Sequence, residues 1–167
     1  RPQARFMFAR HPVVTRFKGK PTLMIRVANE RHNTVSDASA RLWVLTDGAA
    51  IEGHKFRRFV ELKLERVENP VFVLSWTLFH VIDDTSPLFD LRHGAASPLS
   101  SFILTIAGYD ENMAQDVRAR HWYDVKDIRW DHRYTDILES GPGGSTTLNY
   151  DRFHDSEPDN EMPAVTS

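Results

Sequence analysis

With 167 residues, 41% of them hydrophobic and 26% charged, the chain has the balance of one globular domain able to bury a substantial core. A formal charge of -2 lacks the basic excess of a nucleic-acid binder, so no nucleic-acid partner is expected, and the lack of cysteine excludes disulfide frameworks and Cys-based zinc sites. The longest apolar stretch, 70–82, is interrupted by Ser75, Thr77 and His80 and falls short of the roughly 18 to 20 residues of a membrane helix, so these residues are expected to be soluble on their own.

Residues 1–20 carry Arg1, Arg5, Arg10, Arg16, Lys18 and Lys20 and no acid, and lead into a first strand. Such a segment is either a solvated arm or a juxtamembrane stretch that attracts anionic lipid at about 1 kcal/mol per charge, and composition does not separate the two. After the turn at Gly19-Lys20-Pro21, Leu23, Ile25 and Val27 alternate with Met24, Arg26 and Ala28, as a half-buried strand requires. Ala38, Ala40, Leu42 and Val44 share one face of the next strand, and Val60, Leu62 and Leu64 alternate with Glu61, Lys63 and Glu65. The nearly continuous apolar run from Val71 to Phe79 reads as a strand covered on both sides. Ser86-Pro87 before Leu88-Phe89-Asp90-Leu91 is an N-cap followed by proline, which predicts a short helix. Phe102, Leu104 and Ile106 form a strand ended by Gly108, and a long strand pair is expected over 113–123 and 128–138. Gly141-Pro142-Gly143-Gly144 then turns the chain into 146–150, and from Asp155 onward an acidic tail is expected to be disordered. Many short strands and one or two short helices make an all-β, antiparallel sandwich. Its expected body is 21–154, between the basic segment 1–20 and the tail 155–167.

Catalytic chemistry finds little support, and no enzyme is expected. His80, Asp83, Asp84 and Ser86 are close in sequence, but a triad must converge in space, and a strand end followed by a capped turn explains them better. The eight histidines show no tight ligand spacing; the nearest groupings are His121 with His132 and His132 with His154, so no metal or cofactor is expected. The glycine cluster at 141–144 lacks the lysine and helix of a phosphate-binding loop.

The order of several motifs adds what composition cannot. Arg1-Pro2-Gln3-Ala4-Arg5, Gly19 to Asn29, His80-Val81-Ile82-Asp83-Asp84-Thr85-Ser86-Pro87-Leu88-Phe89, Ile128-Arg129-Trp130-Asp131-His132-Arg133-Tyr134 and Tyr150-Asp151-Arg152-Phe153-His154 resemble, in sequence order, the cytoplasmic domain of inward-rectifier potassium channels. Phe8-Ala9-Arg10-His11 and the Trp-Asp-His-Arg-Tyr stretch resemble the bacterial, KirBac branch. The resemblance implies an immunoglobulin-like sandwich that forms a homotetrameric ring on the cytoplasmic face of a bacterial inner membrane. There it would lie beneath a transmembrane pore domain not contained in these residues, with potassium as the permeant ion and gating as the role.

It also implies site residues. Gly108, Tyr109 and Ala114 fall in the family's constricting loop near the ring axis. His54 and Ala107 stand where strongly rectifying relatives carry acids, with Glu52 and Asp110 near enough in sequence to compensate in part. Arg1 and Arg5 match the lipid-contact segment, although Gln3 and Ala4 replace lysines of eukaryotic members, so activation by phosphoinositide is not implied. Arg120 matches an arginine that ties the loop strand to acids of a neighbouring element or subunit. The strands alone fit equally a generic immunoglobulin-like adhesion or ligand-binding module. Motif order and the basic start favour the channel domain.

Overall fold

Alternating strands expose one apolar edge each, and that edge is covered only when a second sheet is laid on it. The computed structural model describes residues 6–31, 33–66, 68–92 and 97–159. In chain order the strands are β1 (Phe6–Phe8), β2 (Val13–Phe17), β3 (Lys20–Asn29), β4 (Val35–Ile51), β5 (His54–Leu62), β6 (Glu68–Phe72) and β7 (Ser75–Val81). After the helix α1 (Phe89–Arg92) come β8 (Leu99–Asp110), β9 (Gln115–Asp124), β10 (Arg129–Trp130), β11 (His132–Tyr134), β12 (Leu138–Ser140), β13 (Thr146–Leu148) and β14 (Ser156–Pro158).

One sheet centres on β3, which pairs with β7 along one edge and with β2 and then β1 along the other; β10 adds in parallel beyond β2. The second sheet runs β5-β4-β8-β9, with β6 beside the first part of β4. Leu23, Ile25 and Val27 of the first sheet meet Ala40, Leu42, Val44, Phe102, Leu104 and Ile106 of the second in one continuous core. Each large aliphatic or aromatic side chain buried there contributes roughly 1.5–3 kcal/mol, so this face-to-face layer outweighs any surface ion pair. The all-β sandwich expected from periodicity is the architecture observed.

Several local expectations change. The run 71–79 is not one strand: β6 pairs with β4 and β7 with β3, so the chain crosses between sheets at Val73-Leu74. Phe72 and Trp76 bury their rings at that crossing while Val71 is exposed, a division a continuous apolar run conceals. Residues 128–138 do not pair with β9, whose partner is β8; the left-handed backbone of Asp131 (φ 56) breaks them into β10 and β11. Gly108 does not end its strand, since β8 continues through it to Asp110. The helix and the 141–144 turn lie where the sequence placed them. Order also extends past Asp155. β14 pairs with β11 because Arg133 draws Glu157 (3.1 Å) and Asp159 (3.8 Å) to it, so the expected disorder does not hold for 155–159; residues 160–167 lie outside the described residues.

The largest revision concerns β3, which is buried on both faces. Its second face carries Met24, Arg26 and Ala28, and the chain after β11 folds over it, with Ala28 packed among Ala9, Ile137, Leu148 and Phe153. Arg26, 5% exposed, donates to the carbonyls of Thr135 (2.6 Å), Phe153 (2.5 Å) and Arg152 (3.3 Å). Its guanidinium lies 4.6 Å from the Tyr134 ring and 5.3 Å from that of Phe153. Tyr134 Oη in turn donates to the His11 carbonyl at 2.6 Å, and Tyr123 Oη to that of Ala9 at 2.6 Å.

Replacing Arg26 with Met keeps the volume and removes every one of these donors, leaving buried carbonyls unpaired. We expect a loss of about 2–4 kcal/mol in denaturant unfolding, with amide exchange rising first in 133–158. A loss below about 0.5 kcal/mol would show that the closing segment is held by its apolar contacts alone.

Candidate functional site

The turn joining β8 to β9 is built by a buried acid. Asp110 Oδ1 accepts from the backbone N–H of Asn112 (2.9 Å) and Met113 (3.0 Å), and Oδ2 accepts from Asn33 Nδ2 (3.0 Å). The residue is 0% exposed. Burial works against the charged form, but the donors from Asn33, Met113 and Asn112 outweigh it and hold the carboxyl below its ordinary value. The loop 111–114 closes with Ala114 in the left-handed region (φ 53). It is clipped sideways to the β3–β4 connection: Glu111 N–H donates to the Thr34 carbonyl (2.9 Å), Thr34 N–H to Asn112 Oδ1 (3.0 Å) and Ser36 Oγ to Glu111 Oε1 (2.7 Å). Asn29 secures the other end of that connection by donating to the carbonyls of Asn33 (2.5 Å) and Phe72 (3.2 Å).

Gly108 lies opposite a bulge in β4, where pairing shifts between Ser36 and Ser39. A Cβ at Gly108 would stand 2.6 Å from Val35 Cγ1 and 3.3 Å from Ala38 Cα, so close approach requires glycine here. Val35 and Ala38, both fully buried but three residues apart, break the period of two; this spacing was the signal of a bulge in the sequence.

The outer face of the second sheet is open. Across it run Phe59, Trp43, Ile103 and Trp122 on adjacent strands, with Phe59 and Trp122 52% and 50% exposed and their ring centroids 6.0 Å apart. Beside this apolar row Arg41 stacks 4.6 Å over Trp43 and forms two 3.0 Å bonds to Glu61. Arg120, opposite Thr105, and Arg118, opposite Ala107, have no ion pair or hydrogen bond among the described residues. Together they line a groove of about 800 Å³.

The sequence-predicted residues therefore divide. Ala107, Gly108, Tyr109, Asp110 and Ala114 lie at one end of the β8–β9 pair, with Arg120 farther along the same sheet. Glu52 and His54 sit at the tip of the β4–β5 hairpin, separated from Ser39 and Ala107 by the length of β4, on the order of 40 Å at the usual rise per residue. Within one chain the structure does not bring them to Ala107. Asp110 also departs from expectation: its carboxylate is buried and consumed by the turn, so it presents no charge to a solvent-filled path. The acids that do reach the surface near the loop are Asp37, Glu111 and Asp116, the last directly opposite Tyr109, and pattern reading passed over all of them. Arg1 and Arg5 lie outside the described residues.

The grouping of His80, Asp83 and Ser86 is a structural latch at the strand end and capped turn. His80 Nδ1 donates to the Lys63 carbonyl (2.8 Å), so Nε2 is the acceptor for the Ser86 hydroxyl (2.7 Å), whose oxygen also accepts from Leu88 N–H (3.1 Å) at the start of α1. Both side chains are buried, and Asp83 bonds Thr85 rather than the imidazole. Burial holds His80 below its ordinary pKa despite the Lys63 carbonyl, Asp83 and Glu65. No helix among the described residues is long and apolar enough to cross a membrane, and no His/Asp/Glu group among them is disposed to hold a metal.

Comparison with known proteins gives one consistent answer. Residues 6–166 match the family model of the inward rectifier potassium channel C-terminal domain. The chain is 36% identical over 156 residues to inward rectifier potassium channel Kirbac3.1 of Paramagnetospirillum magnetotacticum, covering 93% of this chain and 53% of that protein. It is 26% identical to human ATP-sensitive inward rectifier potassium channel 10, over 87% of this chain and 40% of that one. With the bovine G protein-activated inward rectifier potassium channel 1 it shares 30% identity over 89% of this chain and 30% of that one. The chain thus spans about half the length of the bacterial relative and less of the others.

Two outcomes test the geometry. Gly108→Ala should cost about 1–3 kcal/mol, and Val35→Ala in the same chain should recover part of it, so a double-mutant cycle gives a coupling of about 1 kcal/mol or more; simple additivity would refute the packing account. Acid should weaken the fold in two stages. His80 stays neutral when folded while the unfolded chain takes up a proton, so its contribution is complete above about pH 6.5 and declines below it, at up to about 1.4 kcal/mol per pH unit. Asp110 adds stability that is complete above about pH 4 and disappears as pH falls through its depressed folded pKa. Urea midpoints from pH 8 to 3 measure both; His80→Gln should reduce the upper stage, to which His121 and His154 also contribute, and Asp110→Asn the lower.

Proposed function

The chain belongs to the inward rectifier potassium channel family, matching its C-terminal domain, and from that premise we propose that it is the cytoplasmic gating domain of a potassium channel. Four copies form a ring below a transmembrane pore, the ring continues the potassium path, and its movement reaches the gate. The observation that carries this reading is the family match over 6–166. Support from the geometry is local. The β8–β9 turn is a short, clipped loop presenting Tyr109 and Met113 at the surface, of a size to narrow an axial path when four copies converge.

Arg120 and Arg118 project from an apolar-rowed face without a partner among the described residues, which fits ion pairing to acids of an adjacent subunit. Ala107 supplies no charge to the path and Asp110 keeps its own inside the fold, so block by polyvalent cations should be weak, with Glu52 and His54 acting at a different level of the path. Arg1 and Arg5 are proposed to meet anionic lipid at the inner face of a bacterial membrane, biasing the ring.

Assembly is the first test. Mass measurement over a range of concentrations, with crosslinking, should reveal a four-chain species, and Arg120→Glu should weaken it tenfold or more while leaving the unfolding midpoint of the monomer within about 0.5 kcal/mol of the parent. A strictly monomeric domain, even when joined to its pore, overturns the ring. Potassium flux from liposomes holding the full channel, with and without anionic phosphoinositide, then reads the lipid response directly.

A further inference from the structure

Imidazoles gather where the beginning of the domain meets its end, and the reading above makes no use of them. Arg10 and His11, in the connection from β1 to β2, face Arg129, His132, His154 and Glu157 across an open groove of about 440 Å³. Hydrogen-bond direction fixes the protonation of two of these rings. The Arg10 amide can only donate, and it does so to Nδ1 of His154 at 3.0 Å, so that nitrogen keeps its lone pair and the ring proton sits on Nε2. The Asp127 carbonyl can only accept; His11 Nδ1, 3.0 Å away, therefore carries the proton. His11 Nε2 is left with its lone pair, facing Arg129 Nη2 at 3.3 Å. Each lone-pair bond exists only while its imidazole is neutral, because a second proton would set N–H against N–H.

We propose that this junction is a proton-operated clasp: neutral His154 ties the β1–β2 connection to the closing part of the chain through the Arg10 amide, and protonation of that ring releases the bond and loosens the attachment. His154 is faced by Arg10 and His11 from the connection, by Arg26 from β3 and by Asp155 of its own segment, with Arg129, His132 and Glu157 around the groove. Burial, then Arg10, Arg26 and His11, hold its pKa below the ordinary imidazole value, against the opposing pull of Asp155. The clasp is therefore closed at neutral pH and opens on the acid side.

The ties beside the clasp do not titrate in this range. Tyr123 and Tyr134 hold the carbonyls of Ala9 and His11, and burial pushes both phenols well above their usual pKa. Protonation of His154 thus removes its bond to Arg10 and leaves the phenol bonds and the His11–Asp127 bond in place, which makes the response a partial loosening of the connection rather than unfolding. The clasp is made of bonds within one chain and operates whether or not four copies assemble.

NMR of the 167-residue chain tests it. At pH 8 the His154 ring nitrogens should show an unprotonated Nδ1 and a protonated Nε2; the opposite tautomer overturns the proposal. On acidification from pH 8 to 5, exchange protection of the Arg10 amide, normalised to its intrinsic rate and to the core amide of Leu104, should fall at least tenfold along the titration of His154. His154→Asn places a non-titrating acceptor near the position of Nδ1, so its Arg10 protection should stay level across that range. Protection that is flat while His154 titrates in the parent chain, or that falls equally in the Asn variant, overturns the clasp. Should the variant not fold, the tautomer and the parent titration decide alone.

Discussion

A guanidinium taken out of water must find its hydrogen bonds in the protein, and Arg26 finds them on chain more than a hundred residues away. Burial lowers its pKa against the raising influence of Tyr134, Asp136 and Asp155, yet an arginine does not discharge in practice, so the cost has to be met by geometry. The carbonyls of Thr135, Arg152 and Phe153 meet it on one side and two aromatic rings on the other, although Nε stays unpaired. Once that set is fixed, the segment after β11 has only one place to lie, over Met24 and Ala28. Its position then brings Tyr134 to His11 and His154 to Arg10. The segment from Tyr134 to Phe153 is organised around this single charge.

From β3 the constraint passes to the other sheet. Asn29 ends that strand and anchors the following connection; Asn33 in that connection holds Asp110; and Asp110 shapes the turn at 111–114. The exposed loop is thus referenced, bond by bond, to the most buried strand of the molecule. Polar side chains carry this relay, and each link either runs to the backbone or ends on the buried Asp110 carboxylate. Such links are stronger and more specific than the exposed pairs Arg57–Asp47 and Arg133–Glu157 elsewhere on the surface.

Periodicity made the two sheets legible, because Leu23, Ile25, Val27 and Leu42, Val44 report their burial through alternation alone. It failed wherever burial was not one-sided. Arg26 sits in a position that alternation reserves for solvent, and no local pattern announces that residues 135 and 153 will cover it. The run 71–79 failed for the complementary reason: apolar residues on both sides of a crossing look like one covered strand. In the site, Gly108 and Ala114 were found from resemblance, but their roles differ, one admitting the β4 bulge and the other closing the turn. Asp110 was misread because sequence gives a carboxylate's place along the chain and not the direction it faces.

That direction decides what kind of loop this is. A carboxylate cannot both satisfy the N–H groups of its own turn from a dry interior and lend its charge to ions passing outside. Asp110 does the first, with donors on both oxygens and no exposed surface. Rigidity of the loop and charge of the loop are therefore separate properties in this chain: the first comes from Asp110 and Asn33, the second from exposed Asp37, Glu111 and Asp116, of which Glu111 is already engaged by Ser36. In the proposed ring the electrostatic field at the constriction would follow those surface acids, while the width of the path would follow the buried one.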